Sequence, residues 1–428
     1  MYSPGGTLAI CDRCGFEYPL RKLKKEWTGL MVCPADFDPP PAELRPPRVK
    51  AEGLPKLNAR PDNQTGEYDP ATDWLVTLAA SGAQPTVMTT DPTFTAGIAN
   101  AAATLAGTTY AWTDTTRFNL MGGTWAVAGA VYPDNEFGRT RSATYSADGV
   151  SYASLVNCAE FIHIGDALEF YLKGTGPVCR LLVNGQSTTA SFPSTPNDGN
   201  LYWHKVDFGS VATRTLRIEQ YHASEMRFGG CRIKTGQTIT ATSHAYRLVL
   251  AGDSFTEGTG ATNNPGAGLA PYIARELGFS DFVVSGSGGT GWINPGSRII
   301  MGARLDLDVI ANAPDMVVFL MGLNDTGDIK ATVEASLGRI RQALPYCLIH
   351  IFGPFDINAP TAMDVNAAAR QANIRDAAEW RDRCWYHSLE GVSFTKADAT
   401  HPDQAGHVTL GKAIYNKIAA VHGLHTVS

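Results

Sequence analysis

From Tyr246 to the end of the chain, short apolar runs alternate with longer stretches of helical composition. The runs YRLVLAG, DFVVSG, DMVVFLMG, CLIHIFG and CWYHSL are separated by GLAPYIARELG, IKATVEASLGRIRQAL and VNAAARQANIRDAAEWRDR, and AGHVTLGKAIYNKIAAVH follows. Strands that are apolar at nearly every position must be covered on both faces, so this rhythm predicts a parallel sheet sandwiched by helices. In the third helix Val365, Ala368, Ala372 and Ile374 are expected on the covered side, with Arg370, Arg375 and Asp376 left polar. Sheets of this type gather functional residues at the carboxyl ends of their strands.

The rest of the chain has a different texture. Residues 1–38 carry Cys11, Cys14 and Cys33 around the basic segment RKLKKEW. Residues 39–70 are proline-rich, with few apolar side chains to bury, and are expected to form a stiff linker or a strap over a neighbour. Residues 71–110 are rich in small side chains and fit short helices or hairpins equally well. From 111 to 243 the runs WAVAGAVY, ALEFYLKG, CRLLVNGQ, WHKVDFG and RTLRIEQYH are separated by turn signals such as VNGQ and TPNDGN. That pattern predicts an antiparallel, jelly-roll-like β-sandwich. The expected architecture is therefore multidomain, ending in an α/β domain over 244–428.

Bulk properties exclude several classes. A chain of 428 residues is too long for one ordinary core. A net charge of -6 argues against nucleic-acid binding. No apolar stretch is long enough to span or insert into a bilayer, and the start MYSPGGTLAICDRC lacks a secretory layout, so synthesis in the cytoplasm is expected. Eight cysteines, three of them clustered and five scattered, are expected to be free and mostly buried.

The first apolar strand ends in GDSFTEG, which places Ser254 just past its carboxyl end. Alone, Gly-Asp-Ser could equally be a helix cap. The later strands change the balance: SGSGGTGW (285–292) follows the second, GLND with Asn324 follows the third, and DATHP brings Asp398 and His401 near the C-terminus. A serine hydroxyl needs a base, which His401 can supply, and an imidazole works best when a carboxylate such as Asp398 holds its tautomer. The N–H of Ser254, an N–H of the Gly288–Gly289 turn and the Asn324 side chain can be aimed at an oxyanion.

These four blocks, in this order, resemble those of the SGNH (GDSL-type) hydrolases over about residues 246–425. The resemblance implies Ser254 as nucleophile, Asp398 and His401 as its partners, and Ser254, Gly289 and Asn324 as the oxyanion hole. Gly289 aligns best with the family's turn glycine, with Gly288 one residue away. VVSGSG stands where the family often has an asparagine, which leaves the conformation of that loop open. No cofactor is implied for catalysis. Asp253 and Asp325 are expected to brace their own turns. His407, His163, His204 and His350 are expected to be structural, and Trp292 fits the cleft or the core.

At the N-terminus, Cys11, Cys14, Cys33 and Asp36 form a Cys₃Asp set acceptable to zinc, in a segment too short to fold on a core of its own. The segment resembles zinc-ribbon-like modules of tailed-bacteriophage proteins in its CDRCGF and EWTG patterns. That likeness implies an attachment module, contact with other virion proteins through the N-terminal region, and work at the virion exterior.

The leading expectation is a serine esterase that removes acetyl groups from bacterial surface polysaccharide. The alternative is a virion structural or glycan-binding protein with a vestigial esterase domain. A long-chain lipase fits less well, because no lid-like apolar segment stands out. Self-association is left open.

Overall fold

The computed structural model describes residues 7–39, 73–129, 131, 134–140, 156–189, 192–193, 195–221, 226–262, 266–355, 357 and 365–427. The chain divides into two compact units, residues 1–68 and 69–428. Apart from its first residue, the proline-rich stretch lies outside the described residues.

In the first unit two small antiparallel hairpins pair Leu8–Ile10 with Glu17–Pro19 and Lys24–Lys25 with Met31–Val32. Their buried apolar cluster is only Cys11, Leu23, Val32 and Cys33. So small a core cannot hold a fold by burial alone.

In the second unit, segment 71–110 resolves into two roles. Helix Asp73–Ala79 puts Leu75 into the core of the α/β domain, with Trp74 stacked on Tyr246. Strands Thr93–Thr95 and Gly107–Ala111 instead join the antiparallel sheet. Among the described residues that sheet has eleven strands.

Of the runs read from the sequence, WHKVDFG and RTLRIEQYH merge into one long strand, Leu201–Tyr221, and ALEFYLKG ends another, Val156–Lys173; the two pair along their length. Register jumps where Gly165 pairs with Ala212 and Ala167 with Asp207, so residues 208–211 bulge out. A bulge of this kind lets a long strand turn from one layer to the other. Side chains on both sides of it, Phe161 and Leu216 as well as Phe170 and Val206, share one apolar cluster.

The α/β domain has a parallel sheet in the order Asp281–Gly286, Arg247–Gly252, Met316–Leu320, Leu348–Phe352, Cys384–His387. Alternate residues feed two separate cores. Leu248, Leu250, Phe282 and Val318 face helices Leu269–Glu276 and Gln404–His422. Val249, Ala251, Val317 and Phe319 face helices Met301–Asp308, Lys330–Ala343 and Val365–Ala378. This two-sided burial is why the strands are apolar at nearly every position. Strand order reverses at Arg247–Gly252, which opens a crevice at the carboxyl ends beside it.

Helix Val365–Ala378 corrects the expected phase: Val365 and Ala368 are exposed, while Arg370 is buried with Ala367 and Ile374. Alanine-rich turns carry little hydrophobic signal, and Arg370 turns inward because its Nε donates to the Gly322 carbonyl at 3.1 Å. The five cysteines beyond the first unit are free and buried, as their scatter suggests.

Three histidines form a chain in which His350 and His387 are buried and His422 is half-buried: His350 Nδ1 lies 2.8 Å from His387 Nε2, and His350 Nε2 lies 3.1 Å from His422 Nε2. Burial lowers His387 and His422 to about 4, and His350 well below its ordinary value. Depressed values mean that neutral imidazoles stabilise the fold above the unfolded value of about 6.5, and that this stability is lost as pH falls toward 4. Imidazole NMR signals from these residues should stay at their neutral positions down to about pH 5, with unfolding free energy falling over the same acid range. Midpoints near 6.5 would contradict the buried arrangement.

Candidate active site

Ser254 lies two residues past the end of strand Arg247–Gly252 and opens helix Ser254–Glu257. The cap of that helix is Asp253, whose Oδ1 accepts the Phe255 N–H at 3.1 Å. Ser254 is therefore free of the capping role, which removes the alternative raised by its sequence. Burial pushes the Asp253 carboxyl up to about 7. Ser254 is 7% exposed, and its Oγ lies 3.0 Å from His401 Nε2.

His401 Nδ1 lies 2.8 Å from Asp398 Oδ2, while Asp398 Oδ1 accepts the N–H groups of Thr400 and His401 at 2.7 Å. The His401 N–H bond, then the His401 ring and the Thr400 N–H, hold the Asp398 carboxyl far below the usual carboxylate range. The Asp398 and His401 side chains are 54% and 22% exposed, so the relay opens to solvent. Asp403 fixes the loop that carries them: its Oδ1 accepts Thr395 Oγ1 at 2.5 Å and the Gly406 N–H at 2.8 Å. His401 also packs near Phe255, with ring centroids 5.9 Å apart.

The glycine turn and Asn324 stand on the neighbouring strands. Gly288 runs close to the serine, since a Cβ there would lie 3.5 Å from Ser254 Cβ. The Gly288 N–H donates to Glu257 Oε2 at 2.6 Å. Gly289 has φ +74, and among the described residues its N–H meets no acceptor. Asn324 Nδ2 donates one N–H to the Thr290 carbonyl at 3.0 Å, so it is tethered to the same loop with its second N–H remaining.

Asp325, Trp292 and Arg304 support the site, and of these only Arg304 is unmarked in the sequence. Asp325 braces the glycine loop rather than its own turn, accepting the N–H groups of Trp292, Ile293 and Asn294 at 2.9, 2.9 and 3.0 Å. Trp292 belongs to the core, fully buried with its ring 5.3 Å from Phe319. Buried Arg304 clamps two strand ends, donating to the Ser285 carbonyl at 2.7 Å and the Gly252 carbonyl at 2.6 Å. Of the histidines expected to be structural, His407 is buried with Nε2 3.0 Å from the Thr259 carbonyl. His163 and His204 are buried in the antiparallel sheet.

In the first unit, one donor atom from each of Cys11, Cys14, Cys33 and Asp36 falls within 4.8 Å of the others, a possible metal site. Asp36 Oδ2 accepts from Cys11 Sγ at 3.3 Å and Cys33 Sγ at 3.2 Å.

Residues 250–408 match the GDSL-like Lipase/Acylhydrolase family. The sequence match and the fold support a GDSL/SGNH hydrolase domain in this part of the chain. Among solved structures, the chain is similar to a salicylyl-acyltransferase from a tetracycline biosynthetic pathway, at 17% identity and TM-score 0.58, covering 74% of this chain and 98% of that one. It is also similar to a family two carbohydrate esterase from Clostridium thermocellum in complex with cellohexaose, at 15% identity and TM-score 0.53, covering 71% and 99%. A third likeness is to an acetyl xylan esterase from the rumen bacterium Butyrivibrio proteoclasticus, at 14% identity and TM-score 0.50, covering 78% and 99%. At these identities what is shared is the fold. None of the curated proteins matches the sequence.

Proposed function

We propose that the protein is a serine esterase working through an acyl-enzyme. The observation that carries this reading is the unbroken relay from Ser254 Oγ through His401 to Asp398 at the carboxyl edge of the sheet. In the first step His401 Nε2 takes the hydroxyl proton while Oγ attacks the ester carbonyl carbon. The carbonyl π pair moves onto oxygen, where the N–H groups of Ser254 and Gly289 and the Asn324 amide receive the negative charge. The C–O bond to the alcohol then breaks, and the departing oxygen takes the proton from His401. Water repeats the cycle and releases the acid. Asp398 stays ionised throughout and holds the imidazole in the tautomer that presents a lone pair to Ser254. So complete a relay favours turnover over a vestigial site.

The favoured substrate is an acetyl ester on bacterial surface polysaccharide. Two observations support it: the open, solvent-facing relay suits an ester carried on a bulky polymer, and two fold neighbours are carbohydrate esterases by description. The test is acetate release from purified acetylated surface polysaccharide, with Ser254→Ala as control. Release by the wild-type protein alone is the expected result; no release from any acetylated glycan would remove the substrate class.

The Cys₃Asp set is proposed to hold structural zinc. Three sulfurs around one carboxylate suit a tetrahedral zinc site, and metal binding would supply the stability that the four-residue core cannot. One zinc per chain by elemental analysis is expected, with chelation unfolding the N-terminal unit while esterase activity persists. A metal-free chain with an intact N-terminal unit would contradict it. Ile10, Phe16 and Trp27 are exposed on this unit, which supports a role in attachment to other virion proteins. The proposed working location is the exterior of a phage virion. Among the described residues no helix is long and apolar enough to cross a membrane.

A further inference from the structure

We infer that Glu257 is a positioning residue that holds the glycine loop in its oxyanion-receiving arrangement and commits Gly289, not Gly288, as the loop's donor. The inference rests on the serine-esterase reading and deepens it.

Glu257 lies three residues beyond Ser254, within the same short helix. Its Oε2 accepts the Gly288 N–H at 2.6 Å, and its two oxygens meet Arg298 Nη1 at 3.0 and 2.9 Å. Gly288 opens the loop and Arg298 closes it, so one carboxylate on the nucleophile's own helix grips both limbs. A Cβ at Gly288 would lie 2.6 Å from Glu257 Oε2, so a larger residue there would displace the carboxylate from the Gly288 N–H. Asp325 takes the three N–H groups at the far bend. The loop's polar backbone is thus shared out between two carboxylates, while the Gly289 N–H is left without an acceptor among the described residues.

A run of glycines has high conformational entropy and does not hold a donor in place by itself. Oxyanion donors act through preorganisation, and a misplacement of about 1 Å can cost about 10²-fold in rate. Anchoring from the serine helix makes nucleophile and donor move as one body. Arg298 has a second task. An unpaired carboxylate beside the developing oxyanion would repel it, and the guanidinium neutralises that charge.

The experiment measures kcat and KM for p-nitrophenyl acetate, and Ki for phenylboronic acid, whose reversible adduct on serine is tetrahedral. Glu257→Met keeps the side-chain length but has no acceptor oxygen. It is expected to lower kcat about 100-fold with KM within about threefold, and to raise Ki by a factor similar to the kcat loss. Glu257→Gln keeps an acceptor oxygen and should retain at least about ten times the activity of Glu257→Met. A kcat within about threefold of wild type in Glu257→Met, or equal damage in both variants, overturns the inference. If Glu257→Met does not fold, Arg298→Met carries the test. Its kcat should fall about tenfold, with recovery in the Glu257→Gln/Arg298→Met double variant, and an undiminished rate overturns the inference. Ser254→Ala is run alongside: if it stays active, the esterase reading itself fails. If it is dead while Glu257→Met is fully active, only the loop assignment falls.

Discussion

Ser254→Ala is expected to lower kcat for p-nitrophenyl acetate by at least about 10⁴-fold while leaving the thermal midpoint unchanged. The size follows from the loss of the covalent route: His401 keeps its carboxylate, and the oxyanion donors remain, but nothing is left to attack the carbonyl. The absence of a stability effect follows from the local geometry. Asp253 caps the helix, so deleting the Ser254 hydroxyl breaks only the 3.0 Å bond to His401, whose side chain reaches solvent. A drop in midpoint of more than about 5 °C would mean that the serine carries structural weight which this geometry does not give it.

The second large effect is on stability, far from the relay. Glu219 is buried between the antiparallel sheet and the α/β domain and accepts from three arginines. Arg180 Nε reaches its Oε1 at 2.6 Å, Arg275 Nη2 the same oxygen at 2.6 Å, and Arg217 Nε its Oε2 at 2.7 Å. Burial alone would raise the Glu219 carboxyl; Arg180, Arg275 and Arg217 more than offset it and hold it well below the usual range. Arg217 also donates to the Ser280 carbonyl at 2.7 Å, and with Arg275 it lies over the Phe282 ring, so the cluster pins one layer to the other. Glu219→Gln keeps the shape and removes the charge, which leaves three guanidinium groups with no central anion. Breaking a buried charge cluster in this way costs about 3–5 kcal/mol. Urea unfolding at pH 7 should register that loss, and a change below about 1 kcal/mol would show that the arginines find other partners. The sign with pH is fixed too. A depressed folded value gives stability above the unfolded carboxylate range, and that stability fades as pH falls through it.

Ser254, Asn324, Asp398 and His401 could be picked out of the sequence because each sits in a short block at the end of a recognisable element. Their chemistry depends on lying at the carboxyl ends of the strands, and strand–helix alternation puts every carboxyl end on the same edge of a parallel sheet. The residues that hold them were not legible. Glu257 meets Gly288 across 31 residues and Arg298 across 41, while Arg304 reaches Gly252 across 52. Such pairs exist only once the fold has formed, and no local pattern marks them. Asp325 shows the limit most clearly. Its place beside Asn324 suggested bracing of its own turn, yet its oxygens serve a loop more than thirty residues earlier.

In the antiparallel region the runs WHKVDFG and RTLRIEQYH, read as separate strands on either side of Gly209, belong to one 21-residue strand. A glycine inside a bulge and a glycine in a hairpin look alike until pairing is known. Trp292 was undecidable for a related reason, because a tryptophan beside a glycine turn can point either way. Here the strand carrying Phe319 draws it inward.

The central claim is that Ser254 attacks the substrate with His401 as its base. Reaction of the native protein with a fluorophosphonate, followed by peptide mass mapping, tests it most directly. One adduct on the peptide containing Ser254, formed in step with loss of esterase activity and absent after denaturation, is the predicted result. Complete loss of activity with the label on another residue, or full activity after Ser254 has been labelled, would contradict it.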